Sequence, residues 1–166
     1  MNLKVLVLIS LLITNIFGTN FKASQLTKKD IKTLKMIKKQ GQRYGLSYSL
    51  MAIAIKESSI GRYVINSKSE DYGLFQANIK TVISRQKVKD NSLNRSIYAQ
   101  KLINDVGFAT ANAIIELQYW QKVHKGSWFK TWSSYNTGWK YKSNTGINYA
   151  KSIFEIIKKL KVEYRL

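Results

Sequence analysis

Few side chains in this chain of 166 residues could carry acid–base chemistry. It has no cysteine, a single histidine (His124), and nine Asp and Glu against 28 Lys and Arg. A thiolate nucleophile, a thiolate metal site and any two-histidine mechanism are therefore excluded. The acid that stands out is Glu57, near the end of LSYSLMAIAIKESSI, residues 46–60. At about 100° per residue, Glu57 falls on the same helical line as Leu46, Leu50, Ile53 and Ala54. Tyr48, Ala52 and Ile55 fill the opposite line, and only Ser49 and Lys56 mark a polar strip. A helix apolar on nearly every side belongs at the centre of a domain. A carboxylate on such a line, one turn from the helix end, meets burial and the negative end of the helix dipole, and both raise its pKa. A carboxylic acid that keeps its proton near neutral pH can act as a general acid on a leaving oxygen. A buried glutamate paired with Lys or Arg would produce the same pattern.

Two further blocks bear polar side chains suited to a cleft. One is Tyr72-Gly73-Leu74-Phe75-Gln76-Ala77-Asn78, and the other is Ser134-Tyr135-Asn136-Thr137-Gly138. With Glu57-Ser58 at the end of an apolar helix, these blocks resemble the lytic transglycosylases of the soluble-lytic-transglycosylase (SLT) type. Those proteins have the lysozyme-like fold. The resemblance runs over about residues 30–140 and lies in three blocks: Glu-Ser, Gly-Leu-Met/Phe-Gln and Ala-Tyr-Asn-x-Gly, in the family's order. It implies that Glu57 is the general acid and then the general base. It further implies that Gln76 contacts a sugar, that Tyr135 holds or tunes Glu57 through a phenolic hydrogen bond, and that Asn78 and Asn136 bind substrate or brace the cleft. Ser58 would lie at the helix end near the substrate, and Tyr72 would be an aromatic cleft contact. Read by themselves, Gln76 and Asn78 fit ordinary loop hydrogen bonding, and Tyr135 fits a packed core aromatic. Three departures stand out. Ser134 replaces the usual Ala, Phe75 replaces the commoner Met, and the segment after Asn78 is rich in Lys and lacks proline, which bears on the shape of the cleft.

The reaction implied is cleavage of the β-1,4 bond between N-acetylmuramic acid and N-acetylglucosamine, with a 1,6-anhydromuramyl product. No second acid, metal or organic cofactor is expected. A muramidase that hydrolyses the same bond is the alternative, with Glu70 or Asp71 as the second acid. The remaining acids (Asp30, Asp90, Asp105, Glu116, Glu155 and Glu163) read as solvated surface groups. The formal net charge of +19 implies an anionic partner. Peptidoglycan glycan strands fit, with a secretion or conjugation apparatus as a further candidate partner. A non-catalytic cationic wall-binding or nucleic-acid-binding protein is the reading from a different class. The even spread of lysines from Lys28 to Lys161 argues against nucleic acid, and a monomer is expected.

Positioning these residues falls to a mainly α, single lysozyme-like domain with at most a small β-hairpin region. Residues 1–18 read as a secretory signal peptide: Lys4, an apolar run over 5–13 and a small residue at Gly18. An uncleaved anchor is the alternative. The absence of cysteine rules out lipoprotein processing, and the reading places the domain, residues 19–166, in the periplasm or outside the cell with no stable membrane insertion. Thr27 and Asp30 form a capping-box pattern ahead of a helix over 26–44, which Gly41 and Gly45 stop or bend. Ser47 or Ser49 is expected to cap the central helix and Gly61 to end it. Residues 62–78 read as loop with a short sheet. Helices are expected over 79–86, 93–103, 106–123 and 149–162, with Trp128, Trp132 and Trp139 in an irregular stretch between the last two. The amphipathic 144–166 stretch would pack on the domain, or else lie on a membrane surface.

Overall fold

The computed structural model describes residues 26–164 and 166, so the expected leader over 1–18 lies outside the described residues. Among the described residues seven α-helices and a three-stranded sheet follow one another, and the second helix, α2 (Ser47–Ser58), is the centre of the core. Leu50, Met51, Ala52, Ile53 and Ala54 are all fully buried. That burial follows from the all-round apolar sequence, because a helix with no polar face must be covered on every side.

Helix α1 (Lys28–Gln42) covers one side of α2 through Leu34 and Ile37. Its start is the expected capping box: Thr27 Oγ1 accepts from the Asp30 amide at 3.2 Å, and Asp30 Oδ2 accepts from the Thr27 amide at 2.9 Å. Asp30 is not the solvated group expected of it. It is buried, and it also accepts from Arg62 Nη2 at 2.7 Å, tying the start of α1 to the loop after α2. Burial raises its pKa, but the Thr27 hydrogen bonds and the Arg62 guanidinium outweigh that and hold the carboxyl below its ordinary range.

Gly41 does not stop α1. It lies inside the last turn, where an added Cβ would stand 2.7 Å from Leu50 Cδ1 and 2.9 Å from the Ser47 amide nitrogen. The missing side chain lets α1 approach the start of α2. The expected serine caps are also absent. Ser47 Oγ donates to the Lys38 carbonyl at 2.8 Å, Ser49 Oγ accepts from Trp132 Nε1 at 3.0 Å, and the N-cap residue is Leu46. Long-range partners have claimed both hydroxyls. At the other end α2 stops before Gly61, because Ser59 (φ 51°) already turns left-handed and Ile60 (φ 63°) follows it.

The sheet has the order β1 (Ile65–Asn66), β2 (Asp71–Tyr72), β3 (Ala77–Asn78), antiparallel throughout, with Ile65 opposite Tyr72 and Asp71 opposite Asn78. Asn78 then caps α3 (Ile79–Gln86), its Oδ1 accepting from the Lys80 amide at 3.2 Å. Helices α4 (Ser92–Asn104) and α5 (Val106–Val123) follow.

Helix α6 (Trp128–Thr137) occupies the stretch that reads as irregular. Ten residues rich in Ser, Thr and Trp have little intrinsic helix preference. Tertiary bonds hold it instead: Trp132 to Ser49 on α2, and Ser133 Oγ to the Gly146 carbonyl at 3.0 Å. A 3₁₀ turn (Gly138–Lys140) leads to α7 (Asn144–Val162), which starts five residues before the expected 149 because Ser143 caps it by accepting from the Gly146 amide. The apolar side of α7, with Ala150, Ile153, Ile156 and Leu160, is buried, and α7 packs against α2 and α6. This places the amphipathic C-terminal helix on the domain. Among the described residues no helix is long and apolar enough to cross a membrane.

The sheet is fixed to α4 at Gly73. Its φ is +80°, and an added Cβ would sit 2.1 Å from the Leu102 carbonyl oxygen. Gly73→Ala must both strain the backbone and displace that carbonyl. It should cost more than about 2 kcal/mol, readable as a lower urea midpoint and a fall in Tm of roughly 5 °C or more.

Candidate active site

The last turn of α2 carries Glu57 into a cleft of about 230 Å³. One wall is the sheet, with Asp71, Gln76 and Asn78. The opposite wall comes from α5, with Asn112 and Glu116, and from α6, with Tyr135 and Asn136; Arg85 of α3 also lines the cleft. Glu57 is half-buried. Tyr149 Oη of α7 donates to Glu57 Oε1 at 2.5 Å.

Burial is the main force on the Glu57 carboxyl and pushes its pKa up to about 7. The negative charge of Asp71 pushes the same way, while the Tyr149 hydrogen bond and the neighbouring Lys56 oppose it. Glu57 is thus poised to hold a proton near neutrality and still release it, which a group serving as acid and then base requires. The phenols of Tyr149 and Tyr135 are both held well above their ordinary pKa, first by burial and then by the charge of Glu57. Both remain protonated, so Tyr149 offers Glu57 a hydrogen-bond donor.

The phenol that touches Glu57 is thus Tyr149, not Tyr135. Tyr135 lines the cleft, but its hydroxyl donates to the Phe75 carbonyl at 3.0 Å and anchors the Gly-Leu-Phe-Gln turn to α6. The sequence motif places Tyr135 in the right wall, and the chain returns a second tyrosine from further downstream. The signal for Tyr149 was its hydroxyl-bearing ring on the apolar line of α7 beside Ala150 and Ile153.

Ser58 and Tyr72 do not line the cleft. Ser58 is buried: its Oγ donates to the carbonyls of Leu74 at 2.8 Å and Ala54 at 3.2 Å and accepts from the Gly61 amide at 2.9 Å. It fastens the end of α2 to the Gly-Leu-Phe-Gln turn. Tyr72 follows Asp71 along β2, and neighbouring strand residues point to opposite faces. Asp71 takes the cleft side, and the ring of Tyr72 packs on the core.

Gln76 and Asn78 lie in the cleft wall and also hold the turn. Gln76 adopts φ 47°, and its Nε2 donates to the carbonyls of Gly73 at 3.0 Å and Tyr63 at 3.3 Å. Asn78 Nδ2 donates to the Ser69 carbonyl at 2.9 Å and to Asp71 Oδ1 at 3.0 Å, which orients the second carboxylate of the cleft. Asn136 lies exposed on the opposite wall.

Three further wall residues were not legible as such in the sequence. Glu116, expected as a surface group, is half-buried; it pairs with Arg85 and accepts from Trp120 Nε1 at 2.6 Å. Asn112 stands one turn before it, is buried, and donates through Nδ2 to the Phe108 carbonyl at 3.0 Å. A polar pair spaced i, i+4 on an otherwise apolar helix was the available signal. His124 is structural: its Nε2 meets Ser134 Oγ at 2.8 Å and its ring stacks on Trp120, and burial lowers its pKa. That contact gives Ser134, in the place of the usual alanine, a partner. Among the described residues no group of three or more His, Asp and Glu could hold a metal ion.

Residues 35–157 match the transglycosylase SLT domain. The chain belongs to the SLT transglycosylase family. This SLT domain is also 36% identical over 129 residues to the uncharacterized 20.7 kDa protein of the vs-regB intergenic region of Enterobacteria phage T4. That match covers 75% of this chain and 65% of the phage protein, so the chain spans about two thirds of its relative's length. No solved structure gives a significant match. At the level of the family, the match supports transglycosylase chemistry that cleaves glycosidic bonds.

Between pH 4.5, the ordinary value, and about 7 the folded chain keeps the Glu57 proton that the unfolded chain has released. Folding stability should therefore fall as pH rises through that window, relative to Glu57→Gln, by roughly 3 kcal/mol, and level off above it. Urea denaturation of both proteins from pH 4 to 8 measures this. NMR titration of the Glu57 carboxyl carbon should move upward in Tyr149→Phe, which removes a donor to the anion, and downward in Asp71→Asn, which removes a like charge.

Proposed function

We propose that this SLT domain is a peptidoglycan lytic transglycosylase that cuts the β-1,4 bond between N-acetylmuramic acid and N-acetylglucosamine. The observation that carries the reading is Glu57, half-buried in the cleft with its pKa near 7 and Tyr149 on one oxygen. In the first step the Glu57 carboxyl gives its proton to the glycosidic oxygen. The bond from that oxygen to C1 of the muramyl sugar breaks, and the N-acetylglucosamine leaves with a free 4-hydroxyl. The substrate's own N-acetyl oxygen stabilises the positive charge at C1. In the second step the Glu57 carboxylate takes the proton of the C6 hydroxyl, and O6 closes on C1. The products are a 1,6-anhydromuramyl end and a re-protonated Glu57, with no water consumed.

The Tyr149 hydroxyl suits both halves of this cycle. It steadies the carboxylate formed after the first transfer and keeps the pKa from rising so far that Glu57 could not act as an acid. The expected leader and the charge of +19 favour a site of action at an anionic cell wall, in the periplasm or outside the cell. Glycan strands are the proposed partner, and local opening of the wall is the proposed use.

A second reading is favoured by one observation: Asp71 shares the cleft with Glu57, oriented by Asn78. A second carboxylate could activate a water and turn the reaction into hydrolysis with a reducing end. Mass spectrometry of the fragments released from purified sacculi separates the two. Anhydro ends from the unaltered protein, kept in Asp71→Asn, are expected. Reducing ends that vanish in Asp71→Asn would replace the transglycosylase reading with the hydrolytic one. Glu57→Gln should lower fragment release by roughly 10²–10⁴-fold with the fold intact by circular dichroism. Clearing of sacculi at an unchanged rate by that variant would overturn both.

A further inference from the structure

At about 230 Å³ the cleft is smaller than the ~300–1,000 Å³ of clefts that enclose a drug-sized ligand. A polymer that presents a bond between two sugars there must rest its neighbouring units outside. Two stretches of wall lead to the same place. On α5, Glu116 lines the cleft, and Tyr119 and Trp120 follow within about one turn. On the other side Asn136 lines the cleft, and Trp139 follows it across the Gly138 turn.

The rings of these two stretches meet. Trp120 and Trp139 stand 5.2 Å apart, edge to face at 78°, and Tyr119 stands 4.9 Å from Trp120 at 72°. Trp120 is buried, and its indole N–H bonds to the cleft carboxylate of Glu116. It therefore locks the cluster to the wall. The two outer rings are bare: Trp139 is 68% exposed and Tyr119 48%. An exposed aromatic ring fastened through Trp120 to a cleft-wall carboxylate is a platform for another flat apolar face. The hydrogen-bearing face of a β-linked pyranose is such a partner. Lys140, the residue after Trp139, is exposed, and an anionic strand suits it.

We propose that Trp139, with Tyr119 beside it and Trp120 behind it, is a saccharide-binding subsite that continues the cleft and receives the next sugar units of the glycan strand. This rests on the reading of the cleft as a glycan-cleaving site. Trp139 touches no reacting atom; its part is to hold the strand and favour long substrates over short ones.

The test uses the full chain carrying Glu57→Gln, so that bound sugar is not turned over, titrated with chitobiose and with chitohexaose by NMR. Chitohexaose should bind at least about tenfold more tightly than chitobiose. Adding Trp139→Ala should abolish that advantage while leaving chitobiose affinity unchanged, and Trp139→Phe, which keeps a ring, should retain most of it. An unchanged amide NMR spectrum away from the residues around Trp139 would exclude simple unfolding. Equal chitohexaose affinity with and without Trp139, in a protein that still releases fragments from sacculi, would overturn the subsite and leave the cleft reading standing. If neither sugar binds and the unaltered protein releases no fragments, both fall.

Discussion

The constraint on which the structure turns is the placing of one carboxyl group. Glu57 closes a helix whose other faces are in the core, so its carboxyl has little water to solvate its charge. An isolated buried anion would be very costly, and the group answers by holding its proton to about pH 7. Tyr149 limits that rise by donating to the same carboxyl. The balance between burial and a single phenolic donor gives a group that can lose and regain a proton in one cycle. A fully solvated glutamate would be ionised at neutral pH, and a wholly enclosed one with no donor would not let its proton go.

Much of the surrounding polar chemistry holds the walls of the cleft at a fixed distance from that carboxyl. Ser58 bonds the end of α2 to the Leu74 carbonyl, Tyr135 bonds α6 to the Phe75 carbonyl, and Gln76 folds back on Gly73 and Tyr63. Two of the three blocks that mark the family thus hold the third in place. Consecutive carbonyls of the Gly-Leu-Phe-Gln turn are accounted for by partners on different helices, as buried backbone groups demand. Residues whose types suggest contact with substrate serve first as braces.

The cleft runs against the charge of the chain. The protein carries +19, yet Glu57, Asp71 and Glu116 face Arg85 alone among charged cleft residues. The lysines lie mostly on exposed faces, where they can draw the protein to an anionic polymer over distances of a Debye length, about 8–10 Å at physiological salt. Inside the cleft burial keeps the Glu57 proton in place, and the negative charge of Asp71 adds to it. Attraction to the substrate and tuning of the acid are therefore handled by different regions of the molecule.

Local features were legible in the sequence where neighbouring residues decide them. The capping box of Thr27 and Asp30, the bounds of α3 and α5, the small sheet and the buried helix ending in Glu57 all depend on partners a few residues away or on periodicity. Helix α6 was not legible, because its Ser- and Trp-rich sequence is weakly helical and tertiary bonds, among them those to Ser49, Gly146 and Phe75, hold it. The caps expected at Ser47 and Ser49 failed for the same reason: distant carbonyl and indole groups took their hydroxyls. Glu116 read as a surface charge until the fold set Arg85 beside it. Periodicity placed Glu57 at the end of a buried helix, where burial and the helix dipole both raise a carboxyl pKa. Only the tertiary structure decided that the hydroxyl upon it comes from Tyr149, 92 residues away, and that Tyr135 is turned to a backbone carbonyl. Periodicity reports which face of a helix is buried, but which of two tyrosines reaches a carboxyl depends on how α6 and α7 cross α2, and that is set by packing across the whole chain.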